Sequence, residues 1–287
     1  MANLKEIRSR ITSVGSTMQI TSAMKMVSAA KLKRAQDAIS RVRPYATKLT
    51  ELLGNLSNSL DSSDGGAYTQ KRDVKNVLLV TITSNRGLCG GFNTYIIKKT
   101  KEVINEEYSK ANIKILSIGK KSSEHFEKNG FNVIGKQDNL FTELTFDNVA
   151  KVAHSIMQQF LSGDYDKVVL IYNQFKNAAT QIIMKENFLP VQQITSEKGK
   201  VGDYIFEPIK QEIVEELIPK SLKTQLFKAI LDSHAAEHGA RMTAMHKATD
   251  NAAELKKELT LTYNKARQAA ITGEILEIVG GAEALKS

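Results

Sequence analysis

The carboxyl-terminal quarter of the chain carries a helical pattern of unusual length. No proline occurs from residue 221 to residue 287, and apolar or small residues recur there at spacings of three and four. From residue 245 onward these positions are Met245, Ala248, Ala252, Leu255, Leu259, Thr262, Ala266, Ala269, Gly273 and Leu276. At 1.5 Å per residue the pattern predicts one helix of about 90 to 100 Å, which is longer than a small domain is wide. We therefore expect this helix to reach outside its own domain.

The amino-terminal residues carry a second stripe of the same kind. Its positions are Leu4, Ile7, Ile11, Val14, Met18, Leu32, Ala35, Ile39 and Val42, with a polar interruption at Thr21, Lys25 and Ser28. Each stripe alone would leave an apolar seam in water, so the two together predict an antiparallel coiled coil of the chain ends. Pro44 lacks a backbone N–H and predicts a kink or break, after which the apolar spacing resumes at Leu49.

The middle of the chain has a different periodicity. Short runs rich in β-branched residues at 77–83, 113–118 and 168–172 predict strands buried on both faces, and helical stretches are predicted near 92–109, 120–129 and 146–162. Gln181 to Met184 is a candidate antiparallel edge strand. The fold class is therefore α/β: a Rossmann-like, mainly parallel domain at 74–208 as a foot, and a discontinuous coiled-coil shaft formed by 1–60 and 209–287.

Composition restricts the class of protein further. Hydrophobic residues make up 41% of the 287 positions, which is enough for a real core. No uncharged apolar run reaches 18 residues, and the start MANLKEIRSR lacks the apolar segment of a signal peptide, so we expect a protein kept in the cytosol. The single cysteine, Cys89, excludes an internal disulfide and a multi-cysteine metal site.

The net charge of +9 is concentrated at one end. Residues 1–50 contain ten Lys and Arg against Glu6 and Asp37, whereas the remainder is nearly balanced. Such a basic helix favours an acidic partner, which leaves nucleic acid, anionic lipid and an acidic protein surface open. Its cations are not interleaved with aromatic residues, which argues against single-stranded nucleic acid.

Two motifs suggest chemistry that their context does not support. The turn SNRGLCGGFN (84–93) joins a strand to a helix, but its glycines match neither dinucleotide-binding nor P-loop spacing, so we expect a tight turn with Cys89 buried. His234, Glu237 and His238 spell H-x-x-E-H, a zinc pattern, yet a third ligand is lacking and we expect exposed helix residues. We predict no catalytic residue, no metal site and no cofactor.

Four segments resemble the gamma subunit family of F-type ATP synthases. The most specific is ITGEILEIVGGAEA (271–284), with LTLTYNKARQAAIT (259–272) before it; ITSAMKMVSAAKLKRAQ (20–36) and TSNRGLCGGFN (83–93) are similar as well. The resemblance covers essentially the whole chain. Gln19 and Ser22 stand where the family commonly has lysine, and Asn85 where it often has aspartate.

The resemblance implies a non-catalytic central stalk. It implies a shaft inside a ring of three alpha and three beta subunits and a foot on the membrane c ring beside epsilon, one copy per complex and no nucleic acid. Rotation would couple proton flow to ATP synthesis or hydrolysis. The implied location is the cytoplasmic side of a bacterial cell inner membrane, as a peripheral protein. A Rossmann-like nucleotide-binding enzyme remains the alternative.

The resemblance also implies roles for individual residues. Residues implied to contact beta subunits and carry torque are Arg267, Gln268, Lys31, Lys33 and Arg34. Met24 is implied in coupling, and the c-ring contact in Tyr204, Phe206 and Glu207. The small residues of the shaft seam, which would let two helices approach closely, are Ala248, Ala252, Ala266, Ala269 and Gly273.

Overall fold

The computed structural model describes residues 4–58, 68–70, 72–191 and 210–284. The helices are α1 (Leu4–Asn58), α2 (Phe92–Glu107), α3 (Lys120–Lys128), α4 (Phe146–Leu161) and α5 (Lys210–Ala284). The strands are β1 (Asn76–Ile82), β2 (Asn112–Ile118), β3 (Val133–Lys136), β4 (Lys167–Phe175) and β5 (Gln181–Leu189). A 3₁₀ turn, Asp138–Phe141, precedes α4.

The strands form one five-stranded sheet in the order β3-β2-β1-β4-β5. β1 pairs in parallel with β2 and β4, β2 pairs in parallel with β3, and β5 runs antiparallel to β4 at the edge. The central strands β1 and β4 are buried along most of their length because helices cover both faces. The α/β class with a mainly parallel sheet and an antiparallel edge strand is confirmed.

Two hydrophobic clusters lie on opposite faces of the sheet. On one face, α4 and α5 pack on the strands through Phe160, Ile156, Leu226 and Ile230, among others. On the other face, α2 contributes Ile96 and Val103 to a cluster with alternate residues of β1 and β4. The helix α5 is therefore part of the core of the α/β body.

The described chain divides into two compact units. The first consists of residues 1–28 and 242–287, and the second of residues 29–241. Helices α1 and α5 contribute to both, so each unit contains an antiparallel pair of their segments. The second unit also contains the sheet with α2, α3 and α4.

Three details differ from the sequence-based expectation. Helix α1 continues through Pro44 to Asn58, so the break considered at Pro44 is absent. One missing N–H is outweighed by the packing of the next turn, where Ala46 and Leu49 are buried. Helix α5 begins at Lys210 and continues through Pro219, so it is longer than the proline-free stretch from residue 221. The four-residue strand β3 was not expected, because its sequence VIGK is too short for a recognisable run.

Candidate functional site

The first unit is built by the two ends of the chain packing on each other. The hydroxyl of Thr249 donates to that of Thr21 at 2.8 Å, and Gly15 faces the end of the Lys256 side chain. Going back along α1 from Thr21 to Gly15 moves forward along α5, which makes the pairing antiparallel. Ile7 and Ala252 are buried in this pair.

The last turns of α5 extend past the described start of α1. With Gly15 level with Lys256, Leu4 lies eleven residues further along, opposite about residue 267. Beyond that level α5 has no segment of the described α1 beside it. Large apolar side chains are nevertheless exposed there, namely Ile271, Ile275, Leu276, Ile278 and Val279. This end of α5 is an uncovered apolar surface.

The seam residues of the sequence analysis differ in exposure. Ala252 is buried, Ala248, Ala266 and Gly273 are partly buried, and Ala269 is exposed. A β-carbon added at Gly273 would meet no atom within 4 Å. Close helix contact therefore occurs around Ala252, while the residues after 266 lie where the described α1 has ended.

The three basic residues of α1 that are implied to contact beta subunits are exposed. Lys31, Lys33 and Arg34 are all exposed, and Lys33 forms a surface ion pair with Asp37 at 3.0 Å. Such exposed pairs contribute little to stability, so these cations are available to an acidic partner.

The other residues of the sequence analysis lie in three places. Arg267 and Gln268 are exposed on α5 near the level where α1 begins. Met24 is partly buried, and its carbonyl accepts a hydrogen bond from the Ser28 hydroxyl at 2.8 Å. The candidate c-ring residues Tyr204, Phe206 and Glu207 lie outside the described residues.

The glycine turn after β1 is closed by its own side chains. The hydroxyl of Ser84 donates to the Arg86 carbonyl at 2.6 Å, and Asn93 bonds to the Ser84 side chain and backbone. Gly90 has a φ of +60°, in the left-handed region that glycine adopts without strain. Cys89 is 2% exposed, and burial raises the pKa of its thiol. The prediction of a tight turn with a buried cysteine is confirmed.

Helix α5 packs on this turn at the carboxyl end of β1. Ala236 packs against Cys89 and Phe92, and the Arg241 guanidinium donates to the carbonyls of Arg86 and Gly87 at 2.9 and 3.2 Å. In doubly wound sheets this is the edge at which ligands bind, where the strand order reverses between β1 and β4. Here protein side chains occupy it, which disfavours the nucleotide-binding alternative.

Glu237 and His238 of the H-x-x-E-H motif are buried and His234 is partly buried, so the expectation of an exposed motif was wrong. Glu237 and His238 are 8% and 5% exposed, and the two imidazole Nε2 atoms of His234 and His238 are 3.1 Å apart. The Phe141 ring stacks on His234. Burial lowers the pKa of His234 to about 4 and that of His238 to about 3. Among the described residues no group of three or more His, Cys, Asp or Glu is arranged to hold a metal ion.

Comparison with known proteins identifies the family. The family model described as ATP synthase matches residues 3–285. The ATP synthase gamma chain of Flavobacterium psychrophilum is 64% identical over 287 residues and covers all of both chains. The chain belongs to the ATP synthase gamma chain family. The gamma chain of Flavobacterium johnsoniae is 65% identical over 99% of both chains, and that of Cytophaga hutchinsonii is 53% identical over all of both.

Solved structures of ATP synthases share the fold. A chain of the central stalk and c-ring structure from Tetrahymena thermophila mitochondria is 27% identical, with a TM-score of 0.61 over 80% of this chain and 99% of that chain. A chain of the Euglena gracilis mitochondrial enzyme in rotational state 3 has a TM-score of 0.70 at 22% identity, over 98% and 94% of the two chains. The second likeness concerns the fold alone.

This gamma chain family member has charged side chains inside its α/β body that sequence reasoning missed. Arg241 pairs with Glu237 at 2.6 Å, and Arg43 pairs with Asp232 at 2.8 Å. The signal in the sequence was the occurrence of Asp232 and Glu237 within DSHAAEHGAR (232–241), a segment that also contains Ser, Ala and Gly. In the described part of the chain no helix is long and apolar enough to span a membrane.

Proposed function

We propose that this chain is the central rotor stalk of an F-type ATP synthase. It couples proton flow through a membrane c ring to ATP synthesis or hydrolysis on a hexamer of alpha and beta subunits. The observation that carries the proposal is the carboxyl-terminal end of α5, where Ile271, Leu276 and Ile278 are exposed beyond the described start of α1. An apolar helix end of this kind suits a surrounding protein sleeve better than water.

The proposed mechanism needs no bond chemistry in this chain. Three catalytic sites of identical sequence differ only if something contacts them differently, because a conformational equilibrium shifts solely by differential interaction. A paired-helix shaft has different side chains on its different sides. Turning it changes which beta subunit receives which contact, and thereby which site binds, converts or releases nucleotide.

The proposed arrangement assigns each segment a partner. Residues 1–60 and 209–287 form the shaft within the alpha and beta hexamer, and residues 74–208 form the foot beside epsilon on the c ring. The complex lies at the cell inner membrane, and this chain is a peripheral subunit on its cytoplasmic side. The absence of an apolar spanning helix in the described residues is compatible with that place.

Two groups of polar residues are proposed to engage beta subunits. Arg267 and Gln268 are exposed at the base of the uncovered end of α5, and Lys31, Lys33 and Arg34 are exposed within one turn of α1. The concentration of positive charge in residues 1–50 supports an acidic counterpart for the α1 group.

The remaining assignments concern coupling and the c ring. Met24 is proposed as a coupling residue, and Tyr204, Phe206 and Glu207 as the contact with polar loops of the c ring. The seam residues Ala248, Ala252, Ala266, Ala269 and Gly273 are proposed to keep the shaft slim. The burial of Ala252 supports its part in this assignment.

Co-purification tests the assembly. A tagged chain, expressed with alpha, beta and epsilon, is expected to retain all three through gel filtration. A chain that elutes alone would contradict the proposed function. A nucleotide-binding enzyme would instead bind ATP or NAD as the isolated chain, which equilibrium dialysis measures.

Substitution in the assembled complex tests the beta contact. Arg267→Ala combined with Gln268→Ala is expected to lower ATP synthesis and hydrolysis several-fold, because a polar contact to a catalytic subunit is lost. Lys265→Ala removes a cation from the same helix turn, on the side of α5 opposite Arg267, and serves as the control for loss of charge alone. Unchanged synthesis and hydrolysis in the double variant would refute the assignment.

A further inference from the structure

One face of helix α5 contacts the β4–β5 hairpin. Gln225 donates to the Glu186 carboxylate and to the Asn187 carbonyl, both at 3.3 Å. Two turns further along is Asp232, which shares the Arg43 guanidinium with the Phe175 carbonyl of β4, and Gly239 follows after another two turns. A β-carbon at Gly239 would come within 3.2 Å of the Ala178 Cα. The spacing of seven residues places all three on one side of α5.

Helix α1 joins this arrangement through one side chain. The Arg43 guanidinium donates to Asp232 Oδ1 at 2.8 Å and to the Phe175 carbonyl at 3.1 Å. One residue thus ties α1 to α5 and to the end of β4. Asp232 is completely buried, whereas 43% of the Arg43 side chain is exposed.

Stability alone does not account for a pair of this kind. A buried carboxylate loses its hydration, and replacing a buried ion pair by apolar residues of similar volume is often neutral or stabilising. Asp232 Oδ2 is buried without a hydrogen-bond partner among the described residues, so the desolvation is only partly compensated. The pair instead fixes the relative position of α1 and α5. Its hydrogen bonds are directional, so they form at only one axial register and one rotation of the two helices.

The apolar packing next to this pair does not fix the register of the two helices. Ala229, Ala235 and Ala236 on α5 and Ile39 and Ala46 on α1 are buried near this level. Apolar contacts between small side chains are non-directional, and they change little when one helix shifts against another. A helix pair that carries torque needs a contact that resists such a shift.

We infer that Arg43 and Asp232 are positioning residues for torque transmission, which lock α1, α5 and the β4–β5 hairpin into one register. The inference rests on the proposed rotor function. Without the tie, ATP hydrolysis would continue while part of each rotation is lost as movement between α1 and α5.

The test uses the complete complex in inverted membrane vesicles, with proton pumping and ATP hydrolysis measured on the same sample. The decisive variant is the apolar pair Arg43→Met with Asp232→Val, in which both new side chains are close in volume to the originals but make no directional hydrogen bond. It is expected to fold, assemble and hydrolyse ATP, but to pump at least two-fold fewer protons per ATP. Arg41→Ala, which removes an exposed cation from the same part of α1, is the control. The exchanged pair Arg43→Asp with Asp232→Arg is expected to recover part of the ratio.

Two results would overturn the inference. Wild-type pumping per ATP in the apolar pair would show that packing alone fixes the register. Failure of that variant to fold or to assemble would assign Arg43 and Asp232 to folding. If the unsubstituted chain itself did not assemble with alpha and beta, that result would contradict the proposed function rather than this inference.

Discussion

Two polar side-chain pairs connect distant or neighbouring turns inside the described units. Thr21 and Thr249 bond to each other in the first unit, and Glu237 with Arg241 in the second. Burial raises the pKa of Glu237, and the adjacent Arg241 opposes that rise. Each partner is therefore costly to remove singly, because the other is left buried and unpaired.

Substitution of Arg241 alone is expected to lower the stability of the fold strongly. Arg241→Met leaves the Glu237 carboxylate buried without its cation, and we expect a loss of about 3–5 kcal/mol in unfolding free energy at pH 7. Adding Glu237→Met removes the orphaned charge, so the double variant is expected to be more stable than Arg241→Met. Urea unfolding of the full chain measures both. A double variant as unstable as the sum of the two single variants would contradict this account.

The paired histidines are expected to make the fold acid-sensitive. Burial lowers the pKa of both His234 and His238, with Lys31 and Arg241 adding positive charge nearby. The unfolded chain therefore binds protons below about pH 6.5 that the folded chain does not. The stabilisation is complete above that pH and is lost as pH falls toward about 4.

Urea unfolding at pH 7.5 and pH 5.0 measures this dependence. Two protons taken up only by the unfolded state correspond to a decrease of up to about 2.7 kcal/mol per pH unit. The variant His234→Gln with His238→Gln is expected to lose distinctly less stability between the two pH values, although His125 and the carboxylates still titrate. An equal decrease in both proteins would refute the role of the pair.

At the scale of elements, pairing of α1 and α5 in the first unit depends on small buried residues. Ala252→Asp places a carboxylate in the helix contact, whereas Ala253→Asp places it on the exposed side of α5. Both changes have the same helix propensity cost. We expect Ala252→Asp to lower amide protection in residues 4–28 at least ten-fold, by hydrogen exchange, and Ala253→Asp to leave it nearly unchanged. Equal effects would mean that the seam does not lie at Ala252.

Elements with a clear period were predictable, and the exceptions have physical reasons. The runs at 77–83 and 168–172 became β1 and β4 because a strand buried on both faces is continuously apolar. Strand β3 shows no such signal because its residues alternate between partly buried and exposed at the sheet edge. The continuation of α1 through Pro44 depends on tertiary packing that local sequence does not contain.

At the scale of the candidate site, sequence patterns located surfaces better than they located buried pairs. Exposed Arg267 and Lys31 follow from residue type and helix position. The pairing of Arg43 with Asp232 joins residues 189 positions apart, so no local pattern could reveal it. The H-x-x-E-H segment was misjudged because burial of α5 against the glycine turn is a property of the folded body.

At the scale of the whole molecule, one proposal connects these features. The two chain ends pair in the first unit, and the last turns of α5 expose apolar side chains that a surrounding protein could contact. In the second unit, segments of both long helices pack with the α/β body. Membership of the ATP synthase gamma chain family agrees with each of them. The central claim is that this chain turns within the alpha and beta hexamer.

Single-molecule rotation tests that claim most directly. The hexamer of alpha and beta is fixed to a surface, and a bead is attached to this chain through a cysteine introduced in the α/β body in a Cys89→Ser background. We expect sustained rotation of the bead in one direction when ATP is added, and arrest when the chain is cross-linked to a beta subunit. Continued ATP hydrolysis by complexes whose beads show only random fluctuation would contradict it.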